Sequence, residues 1–181
     1  MNLPNIISLA RLLSVPVVIW MIAMGHLAAA FWLFVAAGLS DAVDGAIAKG
    51  WGLTSELGGY LDPIADKALI GAVFVALGWR GEVPAWLAIL VVSRDLMLVG
   101  GIMLMVALGQ TVTIAPILIS KVNTAGQIAL AAVVLGEHGL GADLDAAQAI
   151  LIPAVATTTI LSGALYVVGW AGRQPKAGVS P

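Results

Sequence analysis

Six long apolar runs, separated by short charged or glycine- and proline-rich breaks, leave this chain few possible folds. An α-helix needs about 20 mostly apolar residues to cross the hydrocarbon core of a membrane, and each run is close to that length. The sequence therefore predicts an all-α polytopic membrane protein, built as a bundle of six transmembrane helices. The predicted spans are residues 6–25, 29–48, 59–79, 84–108, 116–136 and 146–170.

Composition agrees with a membrane protein, because 61% of the residues are hydrophobic and 10% are charged, far from the usage of soluble domains. The 181 residues suffice for one domain, which we predict at residues 1–172, followed by a polar tail at 173–181. The chain has no cysteine, which excludes disulfides, thiolate metal ligands and a thiol nucleophile. A formal net charge of −2 argues against nucleic acid as a partner.

The positions of the basic residues predict that both termini lie in the cytoplasm (N-in/C-in). Lys49, Arg173 and Lys176 fall on the side shared by the ends of the even-numbered spans, and cytoplasmic loops are enriched in Lys and Arg. The hairpin between the second and third spans is then cytoplasmic too. The first span has neither a preceding basic segment nor an Arg-rich presequence. We therefore expect a permanent span, and a bacterial inner membrane rather than a mitochondrial one.

Four aspartates, Asp41, Asp44, Asp62 and Asp66, interrupt the apolar pattern on either side of this hairpin. A carboxylate in or beside hydrocarbon is costly unless a cation neutralises it. The first pair is three residues apart and the second four apart, so each pair projects from one face of its own helix. Antiparallel helices bring the two pairs to similar depth. Oxygen-only ligation suits Mg²⁺ or Mn²⁺, which share phosphate oxygens with a substrate, so the pattern predicts a metal site for a diphosphate.

Other interpretations of these residues stay open. A single Asp near a helix end is often an N-cap or a solvated interface residue. Intramembrane carboxylates also mark ion pathways, so a cation-coupled transporter is the alternative from another functional class. A non-catalytic scaffold is a third possibility, and it predicts that Asp66→Asn leaves function intact. The glycines at Gly71, Gly100, Gly101 and Gly163 are interpreted as helix-packing positions.

The aspartates belong to a longer pattern of fixed spacing around the hairpin. It reads Asp41-x-x-Asp44-Gly45-x-x-Ala48-Lys49, then eight residues, then Gly58-x-x-x-Asp62-x-x-x-Asp66. This pattern resembles the signature of the CDP-alcohol phosphatidyltransferase family. Lys49 stands where the signature usually has Arg, which keeps the positive charge but loses the planar fork of a guanidinium. The segment Leu3 to Leu12 is also similar to the start of family members that make phosphatidylglycerol phosphate or cardiolipin.

The resemblance implies a six-helix membrane enzyme, and a homodimer, that moves a phosphatidyl group from a CDP-linked lipid to an alcohol and releases CMP. It implies that the four aspartates hold one or two Mg²⁺ or Mn²⁺ ions against the diphosphate. Asp66 is implied to act also as the general base on the acceptor hydroxyl. The residues implied to line the CDP site are Asp41, Asp44, Gly45, Ala48, Lys49, Ser55, Gly58 and Asp62.

Two further segments, Val92 to Leu98 and Ile119 to Gln127, bear on the acceptor alcohol. Both resemble the family members that form cardiolipin and CMP, which implies CDP-diacylglycerol and phosphatidylglycerol as substrates. The alternative within the family is phosphatidylglycerophosphate synthase, where we expect more positive charge for the dianionic glycerol 3-phosphate. The residues expected to bind the acceptor are Arg94, Lys121, Lys67, Asn123 and Arg11.

Structural interpretations of these cations compete with the functional one. Arg94 and the adjacent Asp95 form a possible buried ion pair, and Lys121 is a candidate for a snorkelling interface residue. His26 and His138 are expected in loops at the opposite membrane face, away from the chemistry.

Overall fold

The computed structural model describes residues 3–51, 56–107 and 118–171, with the side chains of 3–9, 11, 41–51, 56–66, 102, 104–107 and 170–171 outside the description. Ser55 and the predicted tail at 173–181 lie outside the described residues. The described residues form six α-helices and no strand. The helices are α1 Leu3–Ala23, α2 Leu27–Trp51, α3 Glu56–Arg80, α4 Ala85–Ala107, α5 Leu118–Leu140 and α6 Asp145–Ala171.

The prediction of an all-α fold with six helices is confirmed, and each helix overlaps one predicted span. Most helices begin or end a few residues beyond the apolar run, because backbone hydrogen bonding continues past the point where hydropathy falls. In the described part of the chain, the segments Leu118–Leu140 and Asp145–Gly169 are long and apolar enough to cross a membrane. The apolar segments Leu12–Ala23 and Leu27–Ser40 are shorter.

Glycines end three helices at one end of the bundle. Gly25, Gly81 and Gly141 all have positive φ, at 82°, 78° and 71°, a conformation that side chains with a Cβ avoid. After α1, His26 N donates to Met21 O at 2.8 Å and Gly25 N to Ile22 O at 3.0 Å, the paired bonds of a Schellman cap. These caps end α1, α3 and α5, and each is followed within a few residues by the next helix of the chain.

The helices do not pack simply in chain order. α1 packs against α2 and α3, α4 against α3 and α6, and α5 against α2, α3 and α6. Within the described residues α2 and α3 do not contact each other, although both contact α1 and α5. In the described structure, α2 and α3 are therefore connected through α1 and α5.

The core is apolar and centres on α3. Val73, Phe74 and Leu77 are completely buried, together with Leu87 of α4 and Leu130 of α5. Large apolar side chains also cover the outside of the bundle. Exposed examples are Trp20, Trp32, Trp79, Ile89, Leu96, Ile150 and Val168. A continuous apolar outer surface of this kind suits contact with lipid.

Two glycines allow helices to approach very closely. A Cβ at Gly139 of α5 would lie 2.6 Å from the backbone nitrogen of Ala28 in α2, and one at Gly78 would lie 2.9 Å from the Cβ of Ala88. At Gly163, one of the predicted packing glycines, a Cβ would lie 3.6 Å from Met97 Cε. The sequence did not single out the two tightest positions.

Two of the other predicted packing glycines, Gly71 and Gly100, are less closely packed. A Cβ at Gly71 would lie 4.0 Å from Val92 Cγ2, whereas one at Gly100 would meet no atom of the described structure within 4 Å. The packing interpretation is therefore not supported at Gly100.

Candidate functional site

The aspartates lie at the ends of α2 and α3 that face the α2–α3 connection. Asp41 and Asp44 are in the second half of α2, and Asp62 and Asp66 are in the first half of α3. Each pair therefore lies within one helix, as its spacing predicts. Their side chains are outside the description, so convergence on a metal stays a prediction. In the side chains that the structure does describe, no cluster of His, Asp and Glu forms a metal site.

The predicted CDP-binding residues share these helix ends. Gly45, Ala48 and Lys49 are in α2 and Gly58 is in α3, whereas Ser55 lies outside the described residues. Arg11 is in α1, and its side chain is also outside the description. Their roles stay predictions.

Arg94 ties three helices together from a buried position. The residue is 4% exposed in the middle of α4. Its Nη1 donates to Asp95 Oδ1 at 2.6 Å, and its Nη2 donates to Ser120 Oγ of α5 at 2.6 Å and to Ser162 Oγ of α6 at 2.5 Å. This buried Arg94–Asp95 ion pair is the structural alternative to acceptor binding by Arg94 that the sequence indicates.

Lys67 joins the same network from α3. Its Nζ donates to Asp95 Oδ1 at 3.1 Å, so one carboxylate oxygen accepts from two cations. Lys67 follows Asp66 directly in the sequence, so the backbones of the two residues are adjacent on α3. Two cations and one carboxylate leave a formal charge of +1 in this group.

Asn123 lies one turn along α5 from Ser120 and is completely buried. Its Oδ1 accepts hydrogen bonds from Thr158 Oγ1 at 2.9 Å and Thr159 Oγ1 at 2.8 Å, both on α6. The side-chain amide donor of Asn123 has no acceptor among the described residues, and the same holds for Arg94 Nε and Gln127 Nε2. Buried donors are normally paired, so this interface has unused capacity for oxygen ligands.

Five of these polar residues were not assigned a role from the sequence: Ser120, Gln127, Thr158, Thr159 and Ser162. A signal for two of them was present, because Ser120, Asn123 and Gln127 recur at helical spacing on one face of α5. Lys121, by contrast, is exposed on another face and has no hydrogen bond or ion pair within the described structure. The structure thus joins Lys67 and Arg94 through Asp95, with Asn123 on the neighbouring interface, and leaves Lys121 apart.

An apolar cavity of about 390 Å³ lies between α2, α3 and α5. It was not predicted from the sequence. Gly38 on its α2 wall is three residues before Asp41, and Leu69 on its α3 wall is three residues after Asp66. The cavity therefore begins about one helical turn from the acidic residues. Most of its remaining lining is apolar, including Phe34, Leu39, Ile70 and Ile128.

A second polar cluster lies at the other end of α3. His138 Nε2 is 2.7 Å from Glu82 Oε2, Arg80 Nε is 3.4 Å from Glu82 Oε1, and Gln148 Nε2 donates to Glu137 Oε2 at 2.8 Å. The prediction that His138 lies in a loop was wrong, since α5 continues through Leu140. His26 does lie in a loop, exposed between α1 and α2. The cluster links the ends of helices far from the aspartates.

Comparison with known proteins identifies the chain's relatives. The family model for CDP-alcohol phosphatidyltransferase matches residues 1–161. A rice protein named CDP-diacylglycerol--glycerol-3-phosphate 3-phosphatidyltransferase 1, chloroplastic, is 36% identical over 97% of the chain and 59% of its own length. A probable phosphatidylglycerophosphate synthase of Mycobacterium tuberculosis is 34% identical over 92% of the chain and 80% of its own length.

A fission-yeast (Schizosaccharomyces pombe) protein named cardiolipin synthase (CMP-forming) / mitochondrial hydrolase fusion protein is 34% identical over 92% of the chain. The chain spans only 31% of that fusion protein and 59% of the rice protein. The similarity to relatives of both names runs through the segments that carry the aspartates and the Arg94 network. The chain belongs to the CDP-alcohol phosphatidyltransferase family.

Proposed function

We propose that this protein transfers a phosphatidyl group from CDP-diacylglycerol to the hydroxyl of phosphatidylglycerol, giving cardiolipin and CMP. The observation that carries the proposal is the family match over residues 1–161 together with the complete acidic pattern on α2 and α3. The names of the fission-yeast and rice relatives supply the two candidate acceptors, phosphatidylglycerol and glycerol 3-phosphate.

The donor set on α2 and α3 fits a hard divalent cation. Four carboxylates with no His or Cys among them suit Mg²⁺ or Mn²⁺, and the family is generally dependent on divalent metal. Asp41, Asp44, Asp62 and Asp66 would hold the metal, which when bound would neutralise the diphosphate and the departing CMP. Gly45, Ala48, Lys49, Ser55 and Gly58 would line the CDP site.

Asp66 is assigned the proton transfer. Its carboxylate accepts the proton of the acceptor hydroxyl while that oxygen attacks the phosphorus attached to diacylglycerol. The bond between this phosphorus and the oxygen bridging to CMP breaks, and CMP leaves with the bridging oxygen. The proton on Asp66 then passes to water. The residues assigned to the acceptor are Lys67, Arg94, Asn123, Lys121 and Arg11.

The charge of the described polar group supports phosphatidylglycerol as the acceptor. Lys67, Asp95 and Arg94 sum to +1, which matches one phosphodiester charge. Asn123 adds a buried donor without adding charge. The apolar cavity beside the acidic helix ends offers a place for an acyl chain, in keeping with an acceptor that is itself a lipid.

We further propose six membrane spans with both termini inside, in a bacterial inner membrane, and assembly as a homodimer. The exposed apolar side chains on the outside of the bundle support the spans. The cations Lys49, Arg173 and Lys176 support the orientation. In this arrangement the α2–α3 connection and the acidic residues beside it face the cytoplasm.

The test is product analysis with purified protein. CDP-diacylglycerol and Mg²⁺ or Mn²⁺ are supplied with either phosphatidylglycerol or glycerol 3-phosphate, and CMP and lipids are quantified. Cardiolipin and CMP with phosphatidylglycerol alone are expected. A lipid product formed only with glycerol 3-phosphate would support phosphatidyl transfer but show that glycerol 3-phosphate, and not phosphatidylglycerol, is the acceptor. Cation movement across vesicles without any CMP would support the transporter instead.

A further inference from the structure

Asp95 has no role in the acidic signature, yet it stands at the centre of the buried polar network. It is 8% exposed, and its Oδ1 accepts from Arg94 Nη1 at 2.6 Å and from Lys67 Nζ at 3.1 Å. A buried carboxylate is costly unless it is paired. The two cations on one oxygen therefore explain why Asp95 is tolerated there, but they also leave more positive charge than Asp95 needs.

The two cations differ in how much freedom they have. Arg94 is almost wholly buried, and its second terminal nitrogen is already used by Ser120 and Ser162. The side chain of Lys67 is 30% exposed, and Asp95 is its one partner within the described structure. An ammonium group has three donors on a flexible stem. Lys67 can thus keep Asp95 and still donate to a second oxygen, whereas the guanidinium of Arg94 is fixed.

The charge of the group restricts which anion it can neutralise. With Asp95 ionised, the three residues carry +1, and a phosphodiester with one negative charge brings the sum to zero. A phosphate monoester with two negative charges would leave one uncompensated charge next to apolar helices, where electrostatic energies are large. Removal of the Asp95 charge would raise the sum to +2 and reverse this preference.

We propose that Asp95 is a positioning and specificity-determining residue. It holds the ammonium group of Lys67 at the level of Asp66 on α3 and sets the charge of the group at +1, so that the acceptor is a phosphodiester monoanion. Arg94 contributes its charge to this sum and fixes Asp95 against α5 and α6. This inference rests on the proposed phosphatidyl transfer and names the residue that selects its acceptor.

The first test is Asp95→Asn in the full-length protein, assayed with phosphatidylglycerol and with glycerol 3-phosphate. Loss of one charged hydrogen bond corresponds to about tenfold in binding. We expect the KM for phosphatidylglycerol to rise about tenfold and the KM for glycerol 3-phosphate to fall, with kcat changed less. Unchanged KM values for both acceptors in a folded variant would overturn the proposal.

The second test uses Lys67, whose half-exposed side chain tolerates replacement. Lys67→Gln should raise the KM for phosphatidylglycerol about tenfold. Lys67→Arg keeps the positive charge and should have a KM much closer to that of the wild type. Because Asp95 acts through Lys67, the double variant with Asp95→Asn should bind this acceptor no worse than Lys67→Gln alone. Arg80→Gln is the matched control, since it removes another paired cation at the far end of α3 and should leave both KM values unchanged.

These variants separate the inference from the proposed function. Wild-type protein that makes no cardiolipin from phosphatidylglycerol would defeat the proposed function itself. Wild-type activity with additive effects of the two substitutions, or with a Lys67→Gln variant of normal KM, would defeat only the role of Asp95. If Asp95→Asn does not fold, the Lys67 variants still test the proposal, because an unchanged KM for phosphatidylglycerol in Lys67→Gln contradicts it.

Discussion

Arg94 is stable inside the bundle because its charge and three of its five N–H donors have partners among the described residues. Asp95 supplies the opposite charge, and the hydroxyls of Ser120 and Ser162 take two further donors. Removal of one partner from a buried ion pair typically costs about 3–5 kcal/mol, because the other charge is left uncompensated. The Arg94 network therefore holds α4, α5 and α6 together as well as bordering the site.

Replacement of Arg94 by Met should destabilise the protein strongly. The substitution leaves the Asp95 carboxylate with Lys67 alone and removes the donor of the buried Ser162 hydroxyl and the partly buried Ser120 hydroxyl, so we expect a loss of about 3 kcal/mol or more. Thermal unfolding of the detergent-solubilised protein would measure it. Lys121→Met, at an exposed cation on α5, is the control and should hardly change the melting temperature. Equal melting temperatures for the two variants would contradict the structural role of Arg94.

Replacement of Asp66 by Asn should abolish CMP release while the protein stays folded. A general base contributes about 10²–10⁴-fold to rate, and Asp66 is also assigned to the metal. The assay is CMP release from CDP-diacylglycerol with phosphatidylglycerol present. Asp143→Asn is the matched control, because Asp143 is an exposed acidic residue in the α5–α6 loop. CMP release at the wild-type rate in the Asp66 variant would contradict the assignment of Asp66 as general base and metal ligand.

How far the sequence predicts the site differs from residue to residue. The signature places Asp41, Asp44, Asp62 and Asp66 on two helices because helical spacing is a local property. Asp95 was interpreted only as a possible partner of its neighbour. Its contact with Lys67 joins residues 28 positions apart, and such a contact depends on how α3 packs against α4. No periodicity in the sequence encodes that packing.

The close crossing of α5 and α2 depends on one glycine. A side chain at Gly139 would collide with the backbone of Ala28 and Leu27 rather than with a movable side chain. Backbone atoms cannot shift without moving a whole helix. The approach of these two helices is thus fixed by the absence of a Cβ.

We expect Gly139→Ala to lower stability by at least about 2 kcal/mol, as overpacking in a tight core does. The measurement is the thermal unfolding midpoint in detergent. Gly169→Ala in α6 is the matched control, because a Cβ there meets no atom of the described residues within 4 Å. That variant should be neutral or more stable by up to about 1 kcal/mol, since Ala favours the helix. An unchanged unfolding midpoint for Gly139→Ala would contradict the close crossing of α5 and α2.

Helix existence was predictable here, whereas helix contacts were not. Apolar runs identify six helices because each must be mostly apolar along its length. The runs do not tell which helix lies beside which, and so Gly139 was missed, and the packing contact expected at Gly100 is not found among the described residues. The end of α5 was also predicted too early, because Glu137 and His138 are polar residues of the kind found in loops. In the structure His138 pairs with Glu82, and Glu137 accepts a hydrogen bond from Gln148.

The whole molecule divides into two polar ends joined by an apolar body. One end carries the His138–Glu82 cluster and the glycine caps, and the other carries the four aspartates. The Arg94 network joins α3, α4, α5 and α6. The proposed chemistry thus takes place at one membrane face. At the opposite face, the glycine caps and the His138–Glu82 cluster connect the helix ends.

Chelation of divalent metal should stop the reaction of the whole enzyme. Excess EDTA is expected to reduce CMP release by at least about 10²-fold, because the four carboxylates alone would repel the diphosphate. Restoration by Mg²⁺ or Mn²⁺ in the same sample is the control for irreversible damage. Undiminished CMP release after thorough chelation would contradict a catalytic metal.

The most direct measurement of phosphatidyl transfer follows the two lipid substrates separately. CDP-diacylglycerol with deuterated acyl chains and unlabelled phosphatidylglycerol are given to the purified protein, and the cardiolipin is analysed by mass spectrometry alongside CMP. We predict cardiolipin with deuterium in one of its two phosphatidyl units, formed in equal amount to CMP. Cardiolipin without deuterium, or CMP released without cardiolipin, would contradict transfer from CDP-diacylglycerol to phosphatidylglycerol.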